Sequence, residues 1–193
     1  MTNYNANFLD ESELKAMPFA RLGKKVFIDR TVSMVNLEDI SIGDNVRIDA
    51  HTVLIASGGI SIGSHIHISA FCYLAGAGGI VLQDFANLSS SVKLYSISDD
   101  YSGGSLTNAT IPERYKKLTR GRVELGRHVI IGCGAVVLPG VRIGEGSAVG
   151  ALSLVSRSTE DWGVYVGTPA RRIRARSRAL LSLECEYLRA TSD

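Results

Sequence analysis

The sequence predicts an all-β fold of about six triangular coils, and three observations carry that prediction. A 20-residue unit is written twice, ISIGDNVRIDAHTVLIASGG over residues 40–59 and ISIGSHIHISAFCYLAGAGG over 60–79. Aliphatic residues recur every six positions: Ile42, Ile48, Leu54; Ile62, Ile68, Leu74; Leu82, Leu88, Leu94; then, after a gap, Leu125, Ile131, Val137; Ile143, Val149, Val155. A companion column of aliphatic or small residues stands two positions before each of these, as with Ile40, Val46, Thr52 and Ile60, Ile66, Cys72. Residues two apart on a strand point the same way, so each hexad is a short strand with both residues turned inward. Neither a helical period of 3.6 nor plain alternation reproduces this spacing.

The chain has 193 residues and reads as one domain. Residues 1–19 form an N-terminal segment with a short helix within 3–15, capped by Asp10 or Ser12. Coils follow over 20–97 and 123–156, from a first inward residue at Leu22. The step between inward residues lengthens from six to eight at Met34 to Ile42, Leu54 to Ile62 and Leu74 to Leu82. These places are one coil apart, so the extra residues bulge at one corner. Gly58-Gly59 and Gly78-Gly79 suit it because glycine tolerates positive φ. Residues 98–122, SDDYSGGSLTNATIPERYKKLTRGR, interrupt the coils as a polar inserted loop. A long loop inside a regular scaffold is expected to carry function. The coils end near Ser156, and Asp161-Trp162-Gly163 turns the chain. Residues 157–193 then hold a terminal helix over 177–189. Its apolar side is Leu180, Leu181, Leu183, Cys185 and Leu188, and it is expected to cap the open end of the coils.

Composition narrows the function classes. A net charge of +2 gives no reason to expect a nucleic-acid or membrane-surface partner. No window reaches the roughly 18 apolar residues of a membrane span. The first twenty residues are acidic and polar, unlike a secretory signal. Cys72, Cys133 and Cys185 are odd in number and widely spaced, without metal-ligand or disulfide pattern, which fits a reducing cytoplasm.

Four histidines are available for chemistry. His51, His65 and His128 stand at corners, just before an inward residue, and are expected to be solvated. His67 lies between the inward Ile66 and Ile68, so it points outward from a flat face, stacked over Arg47 and under Asn87. Ser69 follows it, also outward. The basic cluster Arg171, Arg172, Arg174, Arg176 and Arg178 reads, from composition alone, as a solvated face.

Hexads such as ISIGDNVRI and VELGRHVIIGCGAVVLPGVRIGEGSAVGALSLV resemble the hexapeptide-repeat acyltransferases. The ending GVYVGTPARRIR is similar to the segment that closes the galactoside and maltose O-acetyltransferases. The resemblance spans about residues 22–176. It implies a left-handed parallel β-helix, a homotrimer with active sites between subunits, acetyl-CoA as donor, a sugar as acceptor and no metal.

That group carries a catalytic His just after the last hexad before the loop, and VKLYSISDD places Asp99 there instead. Two bases therefore compete. An unperturbed imidazole, with a pKa near 6.5, suits deprotonation of a hydroxyl, which favours His67. Asp99 or Asp100 suits an amino-sugar, whose neutral amine is already nucleophilic. Ser69, Asn87, Asp100 and Tyr101 are the expected acceptor contacts. By the resemblance, Cys133 and Ala151 flank the pantetheine arm. Ser156 and Arg157 follow the last hexad toward the pantetheine end and the adenosine phosphates. Pro169, Arg171 and Arg174 belong to the closing segment, where guanidinium groups pair with phosphate. The leading expectation is O-acetylation of a sugar or polysaccharide precursor by direct transfer, with N-acetylation of an amino-sugar nucleotide as alternative. A metal-binding β-helix protein, which would need three converging histidines, and a non-catalytic one are the alternatives of other classes.

Overall fold

The structure is a computed structural model and describes residues 7–191. Three sheets run the length of the molecule as the sides of a prism. The first and third hold six strands each and the second holds eight. Successive coils pair in parallel and in register, as at Ile40↔Ile60↔Ile80 in the first sheet and Leu54↔Leu74↔Leu94 in the third. Both predicted columns are inside. Ile48, Ile68, Leu88, Leu54, Leu74 and Leu94 of the first column are fully buried, and Val46, Ile66 and Val92 of its companion are buried too. Each such side chain contributes about 1.5–3 kcal/mol by leaving water, so the repeated rows supply one continuous core. Leu22 and Met34, in the first coil, are only partly buried against it.

The corner between the first and second sheets is held in the left-handed backbone region by side-chain-bearing residues: Asn45, His65, Phe85, His128 and Trp162. That conformation costs a non-glycine residue roughly 1–2 kcal/mol. Stacking offsets the cost: His65 lies 4.6 Å from Phe85, and Phe85 lies 5.0 Å from His128. The corner between the third and first sheets uses Gly59 and Gly79, both at φ 88°, where the eight-residue steps were expected to bulge.

Three expectations are corrected. The coils do not end near Ser156. Trp162 is a further corner, and Gly163–Gly167 pairs in parallel with Ala148–Val149, beginning a seventh turn. Ala170–Ala175 then folds back on it as an antiparallel strand. The terminal helix α2, Leu180–Ala190, does not cap the open end. It runs back along the first corner, with Tyr187 against His65 and Glu184 hydrogen-bonded to His128. His128 is accordingly not solvated but 8% exposed, because α2 and the neighbouring rings cover it. At the other end a short helix α1, Glu11–Ala16, is capped by Asp10, whose side chain accepts from the Glu13 amide. Residues 3–6 of the helix expected there lie outside the described residues. No described helix is long and apolar enough to cross a membrane.

Candidate active site

The outer side of the second sheet is a single column in register: Phe27, Arg47, His67, Asn87, Ile130, Ala148 and Val164. His67 points outward as expected. Its Nε2 lies 2.7 Å from Asp49 Oδ2, and Asp49 Oδ1 accepts from Arg47 Nε at 2.6 Å. Burial alone would raise the Asp49 carboxyl. Hydrogen bonds from His67 and Arg47 outweigh it and hold the group below the ordinary carboxylate range. An ionised carboxylate only accepts, so His67 donates Nε2–H to it, and among the described residues Nδ1 has no hydrogen-bond partner. Ser69 follows at the second corner, between the second and third sheets, its amide donating to Leu88 O.

The inserted loop leaves the prism at the third corner. Its base is a short antiparallel pair, Ile97–Ser98 with Thr119–Arg120. Asp99 stands directly after it, half-buried, its Oδ1 accepting from the Asn108 amide at 3.3 Å. Asp100 accepts from the Ser102 amide and from Ser105 Oγ, and its hydrogen bonds with Ser102 hold its carboxyl below the ordinary range. Tyr101 is exposed. Ser156 and Arg157, also exposed, follow the third-sheet strand Leu154–Val155 on this same edge, two coils on.

Each coil passes from the first sheet to the second to the third, so in a three-sided prism the loop edge lies opposite the second sheet. His67 and Asp99 of one chain are therefore on opposite sides, and the structure does not bring them together. The residues expected on the donor side are divided too. Cys133 and Ala151 are exposed on the second corner, where the Leu152 amide donates to Cys133 O. Pro169 lies in the turn of the C-terminal hairpin, with Arg171 and Arg174 exposed on its outer strand. Arg176, a neighbour of these, is structural: its guanidinium donates to the carbonyls of His128 and Gly146.

Sequence reading missed two features. The hexad count gives Arg47 and Asp49 no role beyond scaffold, although Asp49, Ser69 and Ser89 occupy one corner position of successive coils. The second is the outward side of the third sheet. It presents Ser33, Val53, Tyr73, Lys93, Val136 and Leu154 in one row and Val35, Ile55, Ala75 and Tyr95 in another, whereas the first sheet presents Arg21, Ser41, Ser61, Val81, Glu124 and Arg142. Among the described residues no three histidine, cysteine or carboxylate side chains are grouped to hold a metal ion.

Residues 122–157 match the family model described as bacterial transferase hexapeptide (six repeats). The chain is 45% identical over 181 residues to the dTDP-4-amino-4,6-dideoxy-D-glucose acyltransferase of Escherichia coli, covering 93% of this chain and 94% of that one. It is also similar to the N-acyltransferase AntD from Bacillus cereus, solved in complex with dTDP and 3-hydroxybutyryl-CoA. There the TM-score is 0.94 and the identity 45%, over 98% of this chain and 100% of that one. A 48-residue stretch is 48% identical to the galactoside O-acetyltransferase of Lactococcus lactis, covering 25% of this chain and 23% of that one.

Proposed function

The chain belongs to the bacterial hexapeptide-repeat acyltransferases, and from that premise we propose that it acylates the amino group of a dTDP-linked 4-amino-4,6-dideoxyhexose, with an acyl-CoA as donor. The observation that carries this reading is the 45% identity to the Escherichia coli enzyme along nearly the whole chain. Similarity to the sugar O-acetyltransferase covers only 25% of the chain, so the amino-sugar alternative has more support than the expected hydroxyl acceptor. The chemistry agrees. A neutral amine attacks a thioester without a strong base, and Asp99, the residue at the loop entrance, is a carboxylate rather than the histidine a hydroxyl would need.

The divided site fits a homotrimer in which the mostly apolar third faces turn toward a common axis. The second corner of one copy then meets the loop edge of the next. With the axis parallel to the coils, residues of one coil stay at one height. Ser89 and Asp99 both belong to the fourth coil, so the acceptor amine sits between Ser89 of one copy and Asp99 of its neighbour. Ser69 and Asn87 line one side and Asp100 and Tyr101 the other. The donor lies in the same seam toward the C-terminal coils. Cys133 and Ala151 flank its pantetheine arm, while Ser156, Arg157, Pro169, Arg171 and Arg174 gather near the pantetheine end and the phosphates.

In the reaction the amine nitrogen bonds to the thioester carbonyl carbon, Asp99 accepting a hydrogen bond from the attacking nitrogen. The carbon–sulfur bond then breaks, and the proton lost by nitrogen ends on the coenzyme A sulfur. Incubating purified protein with acetyl-CoA or 3-hydroxybutyryl-CoA and dTDP-4-amino-4,6-dideoxyglucose tests this. Thiol release with a product that survives hydroxylamine is expected, because amides resist it and esters do not. A hydroxylamine-labile product, or no turnover with either donor, sinks the reading.

A further inference from the structure

Helix α2 lies along the first corner without packing down on the second sheet. Its C-terminal half is propped there by rings: Tyr187 stands edge-on to His65 at 5.4 Å and to Phe85 at 6.4 Å. Its middle is pinned by Glu184, which pairs with Arg127 and lies 2.8 Å from His128 Nε2. Its N-terminal half, with Leu180 and Leu183, overhangs the outward residues Asn87 and Ile130, and a cavity of 340 Å³ separates them. Leu183 is accordingly 64% exposed, and no residue of α2 is buried. A helix placed for stability alone would set its leucines on Ile130, because apolar surface left wet is stabilisation forgone. The gap is therefore not a demand of the fold. Its floor is apolar as well, since from Ile130 onward the second face continues with Ala148 and Val164. The cations beside it are engaged: Arg127 with Glu184 and Asp84, and Arg176 with the carbonyls of His128 and Gly146.

We infer that this cavity seats the acyl chain of the donor, and that the site is built for neutral aliphatic acyl groups longer than acetyl. The inference rests on the N-acyltransferase reading, which puts the reacting amine beside Ser89 at the second corner of the fourth coil and the coenzyme on its C-terminal side. An acyl chain leaving the thioester there has few directions open. The pantetheine arm occupies the second corner on the C-terminal side, the acceptor occupies the N-terminal side, and the loop edge of the neighbouring copy closes the flank. What remains is the second face, toward α2. Asn87 comes two residues before Ser89, roughly 7 Å back along the strand, and Ile130 is its partner in the next coil. The methyl of an acetyl group stops short of that row. The outer carbons of a four- to six-carbon chain pass over Ile130 and under Leu183, where they leave water on both sides. A chain ending in a carboxylate would bring an unpaired charge among apolar walls, which costs far more than the methylenes gain.

Thiol release from acetyl-, butyryl-, hexanoyl- and succinyl-CoA, with dTDP-4-amino-4,6-dideoxyglucose as acceptor, tests the assignment. In the wild type kcat/KM should rise about tenfold from acetyl to butyryl, since each methylene taken from water is worth roughly fourfold. Succinyl-CoA, as long as butyryl-CoA but charged at its tip, should fall about tenfold or more below it. Leu183→Trp fills the cavity from the helix and Ile130→Trp fills it from the sheet. Each should lower the ratio of hexanoyl to acetyl transfer by about tenfold or more. Leu183 is exposed, so its replacement does not threaten folding. Arg189→Ala, on α2 but away from the cavity, should keep the wild-type ratio. Both tryptophan variants keeping that ratio overturns the assignment, as does a wild type that prefers acetyl to butyryl or accepts succinyl as readily as butyryl. The acyltransferase reading stands in each of those cases, because a donor is still turned over. A wild-type protein that turns over none of the four donors overturns both.

Discussion

The second and third faces are built on the same interior and do opposite things outside. Behind the second stand Ile48, Ile68 and Leu88; behind the third stand Leu54, Leu74 and Leu94; all six are fully buried. Outward, the third face is mostly apolar or aromatic, Ser33 and Lys93 being its polar members, with Tyr73 and Tyr95 rings 5.7 Å apart. The second face changes at every row from Phe27 to Asn87. A mostly apolar outward surface suits contact with another copy. A varied one makes a sequence of different contacts, which suits a ligand lying lengthwise. The inward columns therefore define the fold, and the outward residues are free to divide the labour.

That contrast can be broken from either side. The largest effect is expected on the third face. Val53→Asp should give a monomer in sedimentation, with far-UV circular dichroism retained and acyl transfer lost; a stable, active trimer would remove the assembly role of this face. Next comes the loop edge. Asp99→Asn keeps the shape and loses the charge, and should lower kcat/KM for the amino-sugar by about a hundredfold. A drop of less than threefold would show that Asp99 is not at the amine.

A smaller change is expected on the second face. His67→Ala should lower kcat less than about threefold, since a neutral amine attacks the thioester without a strong base. A fall in kcat with unchanged KM would restore His67 as the base. The smallest effect belongs to the first corner. Burial, with the charges of Arg127 and Arg176, pushes the His128 imidazole below its ordinary value of 6.5, Asp84 acting weakly the other way. Glu184 on α2 faces the same ring. The unfolded chain takes up this proton first, so stability is full above about pH 6.5 and declines as the pH falls below it. Melting curves should show that decline shrinking in His128→Gln.

Much of the fold was legible because it is local and repeated. The hexads place Ile68 and Leu74 inside whatever lies outside them, and the eight-residue steps mark the glycine corner. The outward placement of His67 followed from the same count. Other features depended on partners far away in sequence. His128 reads as a corner residue until α2 returns 56 positions later to cover it. The seventh turn was hidden because Gly163–Gly167 continues as a hairpin rather than a hexad. The separation of His67 from Asp99 is invisible in a spacing pattern, since it depends on which side of the prism each residue leaves. The choice of acceptor was not legible either: the inward pattern is the same for an amine or a hydroxyl.

The doubled unit over residues 40–79 has one more consequence. Its two copies pair strand for strand, and each adds one row of about 4.8 Å to every face at once. The stack therefore behaves as a ruler graduated in whole coils. In the proposed trimer, deleting one 20-residue copy would leave the loop edge and the expected donor residues facing each other, because every copy shortens alike. It would bring Phe27 one graduation nearer to Asn87. A scaffold of this kind can be refitted to a longer or shorter acceptor by copying a coil, without altering the geometry where the bond is made.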